Sequence, residues 1–114
     1  MAGPEQHMAK FTLQDLEKRI ETRAKASADV SYTRKLLDKG VAHCAKKFGE
    51  EAVETVIAAT AESKERVIAE SGDLLYHLLI VLHARGISLA EIEAALSERQ
   101  GMSGLEEKSA RPRE

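Results

Sequence analysis

The sequence predicts an all-α fold, with four to five helices forming a bundle around an antiparallel helix hairpin that is completed by dimerisation. Three observations predict it. Ala, Glu, Lys, Leu and Arg dominate, while aromatics are confined to Phe11, Tyr32, Phe48 and Tyr76, with no Trp; that balance favours helices over sheets. Apolar residues recur at helical rather than alternating spacing, so no strand pattern survives. The breaks between periodic stretches are short, which sets neighbouring helices antiparallel.

Thr12 is a good N-cap before Leu13, Leu16 and Ile20, whose i, i+3, i+7 spacing predicts a helix over about 13–25. Ala26-Ser27-Ala28-Asp29 breaks it, and Ser31 can cap a short helix over 32–38 that Gly40 closes. The hairpin follows, as helices over about 41–61 and 64–84, with Ser63 capping the second and Gly86 past its end. Ser88 and Glu91 form a capping box for a last helix over about 89–99, closed by Gly101. Residues 1–11 read as a loose N-terminal extension, 12–100 as one domain and 101–114 as a flexible C-terminal tail.

Within the hairpin, Val41, Ala45, Phe48, Ala52, Val56 and Ala59 share one stripe, expected to face the core. The second half of the 64–84 helix is apolar nearly all round, from Leu74 through Leu82. A helix apolar on every side is buried, and four other short helices are too few to surround it. A homodimer or larger assembly is therefore expected, with this helix near the interface.

Composition excludes several functions. The net charge of −2, from 17 basic and 19 acidic residues, gives no case for nucleic acid. The run Leu74–Leu82 is broken by His77 and falls far short of the ~20 residues a bilayer demands, and no segment resembles a signal peptide. Cys44 is the single cysteine, which precludes an internal disulfide and fits a reducing compartment, so the expected location is cytoplasmic. Its place between Val41 and Phe48 makes it a small core residue rather than a reactive thiol.

The chemistry lies in two acidic clusters, Glu50-Glu51-x-x-Glu54 and Glu70-x-x-Asp73. Acids at i, i+3 point from one face of a helix. The first cluster alone reads as a solvated face, with Lys47 and Glu51 an ordinary surface pair. The second changes that reading, because a turn near 62–63 sets Glu54 beside Glu70 and Glu51 beside Asp73. Facing carboxylates raise one another's pKa unless a cation joins them. Mg²⁺ is the expected one, being small, hard and oxygen-seeking, and commonly held together with a substrate phosphate. Glu51, Glu54, Glu70 and Asp73 are the expected ligands, with Glu50 a further ligand or the base that activates water. Lys35, Lys47 and Lys108 are candidate contacts to a phosphate-bearing substrate. His77 is read first as a core histidine and second as a hydrogen-bond partner of a ligating carboxylate.

The paired acids resemble the signature of the all-α nucleoside-triphosphate pyrophosphohydrolases, the MazG-like superfamily. Further stretches narrow the likeness: Thr12-Leu13-Gln14-Asp15-Leu16, Ser31-Tyr32-Thr33-x-Lys35-Leu36-Leu37, Lys47 through Thr55, Asp73 through Leu79, and the tail Ser103 through Lys108. With them the chain resembles the phosphoribosyl-ATP pyrophosphohydrolase family, the second step of histidine biosynthesis. It departs from that pattern at His43, where a lysine is usual, and at Cys44, where an aliphatic residue is usual. The resemblance implies Mg²⁺-dependent hydrolysis of phosphoribosyl-ATP to phosphoribosyl-AMP and diphosphate by a homodimer or larger assembly. Two other readings remain open at this point: a house-cleaning pyrophosphohydrolase for free or modified nucleoside triphosphates, and a non-catalytic helical dimerisation module.

Overall fold

A computed structural model describes residues 10–101. Among these the chain is helical, as the sequence predicts: α1 (Leu13–Ala24), α2 (Tyr32–Asp38), α3 (Val41–Ala61), α4 (Lys64–Ala84) and α5 (Leu89–Glu98), then a single 3₁₀ turn, Arg99–Gly101. Most of the expected extension (1–11) and tail (101–114) lies outside the described residues, and Lys108 with it.

Four of the five helices begin where a capping side chain dictates; α3 starts at Gly40 without one. Thr12 accepts from the Asp15 N–H at 3.1 Å while the Thr12 N–H donates to Asp15 Oδ2 at 3.0 Å, a reciprocal box. The Thr12 backbone N–H, followed by the Thr12 side chain, holds the Asp15 carboxyl below its ordinary pKa. Ser88 and Glu91 repeat the device at α5, and Ser31 and Ser63 cap α2 and α4. The first helix ends one residue earlier than predicted because Arg34 and Ser31 take its last carbonyls: Arg34 Nη1 donates to Ala24 O and the Ser31 hydroxyl to Arg23 O, both at 2.9 Å.

Two glycines occupy left-handed backbone. Gly40, at φ 95°, both follows α2 and starts α3, so a single residue turns the chain between two helices. Gly86, at φ 70°, ends α4 in a complete Schellman arrangement: its N–H donates to His83 O at 3.0 Å and that of Ile87 to Leu82 O at 2.8 Å.

Helices α3 and α4 pack along their length as the antiparallel hairpin, and α1 and α2 lie against α4. Ile20, Leu36, Cys44, Leu79, Ile80 and Leu89 form the buried core, with Leu16, Leu37, Tyr76, Val81 and Leu82 packed around it. Helix α5 is tied in through Leu89, whose N–H donates to Glu17 Oε2 of α1 at 2.7 Å. By length and apolar composition α4 could reach across a bilayer, which the broken run Leu74–Leu82 does not suggest. In the fold it is the central helix, with Glu70 and His77 buried on it.

One expectation about α3 is overturned. Val41, Ala45, Val56 and Ala59 of the predicted core stripe are exposed, and the buried positions are Cys44 and Ala58. The helix is rotated so that the arc carrying Glu51 faces α4. Burial of α4 within one chain is likewise partial: Leu79 and Ile80 are covered, whereas Leu75 is exposed. Cys44 is core, as predicted; its thiol donates to Leu36 O at 3.3 Å, and burial pushes its pKa up.

Candidate functional site

The rotation of α3 builds the site. One carboxylate oxygen from each of Glu51, Glu70 and Asp73 lies within 4.8 Å of the other two. Glu51 comes from the middle of α3, and Glu70 and Asp73 from successive turns of α4. Thr55 sets their register: its hydroxyl lies 2.8 Å from Glu51 O on its own helix and 3.2 Å from Glu70 O on the neighbour. A hydroxyl shared between two backbones fixes how far one helix can slide along the other.

Glu70 is the innermost acid, only 5% exposed. Its Oε2 accepts from Arg66 Nη2, and its Oε1 is buried with no partner among the described residues. Burial pushes its pKa up; the Arg66 charge opposes that, and the Glu54 and Asp73 carboxylates add to it. Sequence reasoning assigned the relief of this repulsion to a metal alone. The structure adds a guanidinium, since Arg66 sits between Glu62 at 3.5 Å and Glu70. Arg66 was legible as a cation at i+4 from one acid and i−4 from another, but no pattern said which acid would be buried.

The other expected residues are distributed around this trio. Glu54 lines a cavity of about 130 Å³ together with Ile57, Glu62, Arg66 and Glu70, and its carboxylate lies close to that of Glu70, so it adjoins the trio without being one of its three converging oxygens. Glu50 is not among the three converging acids and pairs with Lys47 at 3.3 Å. That hydrogen bond, followed by the Glu50 charge, raises the Lys47 pKa. Lys35 lies exposed on α2. His77 is buried; its Nδ1–H donates to the backbone carbonyl of Asp73 at 2.8 Å rather than to the carboxylate, and its Nε2 has no partner among the described residues.

The donor set fits a divalent cation. Two oxygens on opposite sides of one Mg²⁺ stand about 4.2 Å apart, given bonds of about 2.1 Å, so a separation of 4.8 Å closes with small side-chain rotations. The orphaned Glu70 Oε1 points the same way, because a buried carboxylate oxygen without a donor favours a cation. All the donors are oxygen, the set that hard cations take.

The comparisons agree with this geometry. The profile of a family described as phosphoribosyl-ATP pyrophosphohydrolase matches residues 13–100. The chain is 62% identical over 104 residues to a protein of Bradyrhizobium diazoefficiens named phosphoribosyl-ATP pyrophosphatase 1, covering 91% of this chain and 98% of that one. It is 59% identical over 107 residues to the phosphoribosyl-ATP pyrophosphatase of Nitrobacter hamburgensis, covering 94% and 100%. A third relative, phosphoribosyl-ATP pyrophosphatase 1 of Rhodopseudomonas palustris, is 55% identical over 107 residues, covering 94% of this chain and all of that protein, 100%. With nearly whole chains aligned at such identity, and with acids converging from two helices, this chain belongs to the phosphoribosyl-ATP pyrophosphohydrolase family.

Proposed function

We propose that the protein hydrolyses phosphoribosyl-ATP to phosphoribosyl-AMP and diphosphate, in histidine biosynthesis, with Mg²⁺ held by Glu51, Glu70 and Asp73. The observation that carries this is the convergence of those three carboxylates around a buried, unpartnered oxygen. Glu54, close to Glu70 in the same cavity, is the fourth ligand. Bound Mg²⁺ supplies neutralisation of polyphosphate charge and acidification of water.

The chain's own residues do the rest. Glu50, next in sequence to a ligand and exposed, takes the proton from the attacking water in this reading. Lys47, held against Glu50, turns its ammonium to phosphate oxygens when an anionic substrate arrives. Lys35 of α2 and Lys108, from the segment beyond Gly101, are further phosphate contacts in this reading. The protein acts in the cytoplasm, where its buried lone thiol stays reduced. Two copies pair through apolar side chains that one copy leaves exposed on the hairpin, including Val53, Val56 and Ile57 of α3 and Ile68 and Leu75 of α4.

Asp73→Asn and Glu54→Gln test the assignment. Both variants should keep the helical circular dichroism of the parent and lose Mg²⁺-dependent diphosphate release from phosphoribosyl-ATP. Full activity in both would remove the site. A deoxynucleotide panel assayed beside phosphoribosyl-ATP separates this reading from a house-cleaning enzyme.

A further inference from the structure

The chain has two tyrosines and no tryptophan, and the two tyrosines stand together. Tyr32 is the first residue of α2, and Tyr76 lies three residues, about one turn, beyond Asp73 on α4. Their ring centroids are 6.5 Å apart and their planes 16° from parallel. Tyr76 is fixed from two more sides: its hydroxyl is 2.7 Å from that of buried Thr33, and the His77 ring meets it edge-on at 5.1 Å. Tyr32 differs, because its side chain is 52% exposed although one side of the ring is backed by Tyr76.

An aromatic ring that packs on a fixed neighbour and keeps its other side open offers a ready stacking surface. Its location says what it would take. Lys47 is near both: its ammonium lies 3.3 Å from Glu50 and feels the charges of Tyr32 and Glu51. An aromatic face, an ammonium and three carboxylates able to hold a divalent cation thus lie near one another, with Tyr76 one turn beyond Asp73 joining the first to the last. A ligand that matches all three carries a flat ring at one end and a metal-bound polyphosphate at the other.

We propose that Tyr32, backed by Tyr76, is the platform on which the purine ring of the nucleotide stacks, while its polyphosphate runs past Lys47 to Glu51, Glu70 and Asp73. This rests on the pyrophosphohydrolase reading, and it adds the group that recognises the base. Base–aromatic stacking is sequence-tolerant and strong enough to be read as about a tenfold change in binding or more.

The test uses the full chain with Mg²⁺ and two probes, α,β-methylene-ATP and inorganic tripolyphosphate, on the parent and on Tyr32→Phe, Tyr32→Leu and Tyr32→Ala. Binding is measured by calorimetry and by the fluorescence of the two tyrosines. The nucleotide should perturb that fluorescence in the parent and tripolyphosphate should not. Tyr32→Leu, which keeps an apolar contact on Tyr76, and Tyr32→Ala should weaken the nucleotide about tenfold or more and leave tripolyphosphate unchanged. Tyr32→Phe should bind as the parent does. With phosphoribosyl-ATP as substrate, the loss should appear in KM and leave kcat within a small factor. Parental nucleotide affinity in the Leu and Ala variants, equal weakening of both probes, or no nucleotide binding by the parent would overturn the platform. A parent that binds the nucleotide through Tyr32 yet releases no diphosphate from phosphoribosyl-ATP would sink the functional reading and leave the platform standing.

Discussion

A buried carboxylate stays charged only beside something positive, and for Glu70 that partner is Arg66. The ion pair is lopsided, because Glu70 is nearly covered while the guanidinium is half in solvent. Removing Arg66 therefore leaves a desolvated acid facing Glu54 and Asp73, with its own Oε1 already unpartnered. Arg66→Gln should lower the thermal midpoint in the presence of chelator. The same variant should show a larger Mg²⁺-induced rise in midpoint than the parent, since the cation then relieves all of the repulsion instead of part of it. Thermal denaturation with and without Mg²⁺ reads both, and equal midpoints in chelator would mean that Arg66 does not stabilise the acid cluster. The acids themselves were legible in the sequence from their i, i+3 spacing. That Glu70 would be covered while Asp73 remained in solvent was not, since burial depends on what the facing helix places over each residue.

At the scale of the helices, capping chemistry explains why the boundaries were readable. Thr12, Ser31, Ser63 and Ser88 each accept an N–H three residues on, a local bond that needs no tertiary partner. The C-terminus of α1 was misjudged by one residue because Arg34, ten residues away, takes the Ala24 carbonyl. The rotation of α3 was misjudged for a related reason. Its apolar stripe and its acid-bearing arc compete for the hairpin partner, and Cys44, Thr55 and Ala58 on the second arc win because they are small enough for close approach of α4. Thr55 then locks the register with a hydroxyl shared between two carbonyls. Thr55→Val preserves shape and deletes those bonds. It should cost about 1 kcal/mol in denaturant unfolding and weaken Mg²⁺ binding as Glu51 and Glu70 lose their fixed spacing. Unaltered metal affinity would show that packing alone holds the register.

For the whole molecule, the apolar residues left uncovered are the main clue. Val53, Val56, Ile57 and Ile68 are all about half exposed or more in one copy, which is costly for a hairpin unless a second surface covers it. The parent should sediment as a dimer at micromolar concentration. Val56→Asp, at an exposed position away from the three converging acids, should yield a monomer that keeps its helical circular dichroism. A parent that sediments as a stable monomer would end the pairing proposal.

Composition, periodicity and capping residues by themselves determined that the chain is helical, where each helix starts, and that acids would face one another across the hairpin. These are local properties, set by bonds within a few residues and by a fixed 3.6-residue repeat. Tertiary packing decided which arc of α3 turns inward, that Arg66 rather than a metal alone answers the Glu70 charge, and that Tyr32 is backed by Tyr76 and open in front. Each of those depends on contact between residues far apart in the chain, and contact of that kind is set by how side-chain volumes fit together, which spacing along one strand of sequence does not encode.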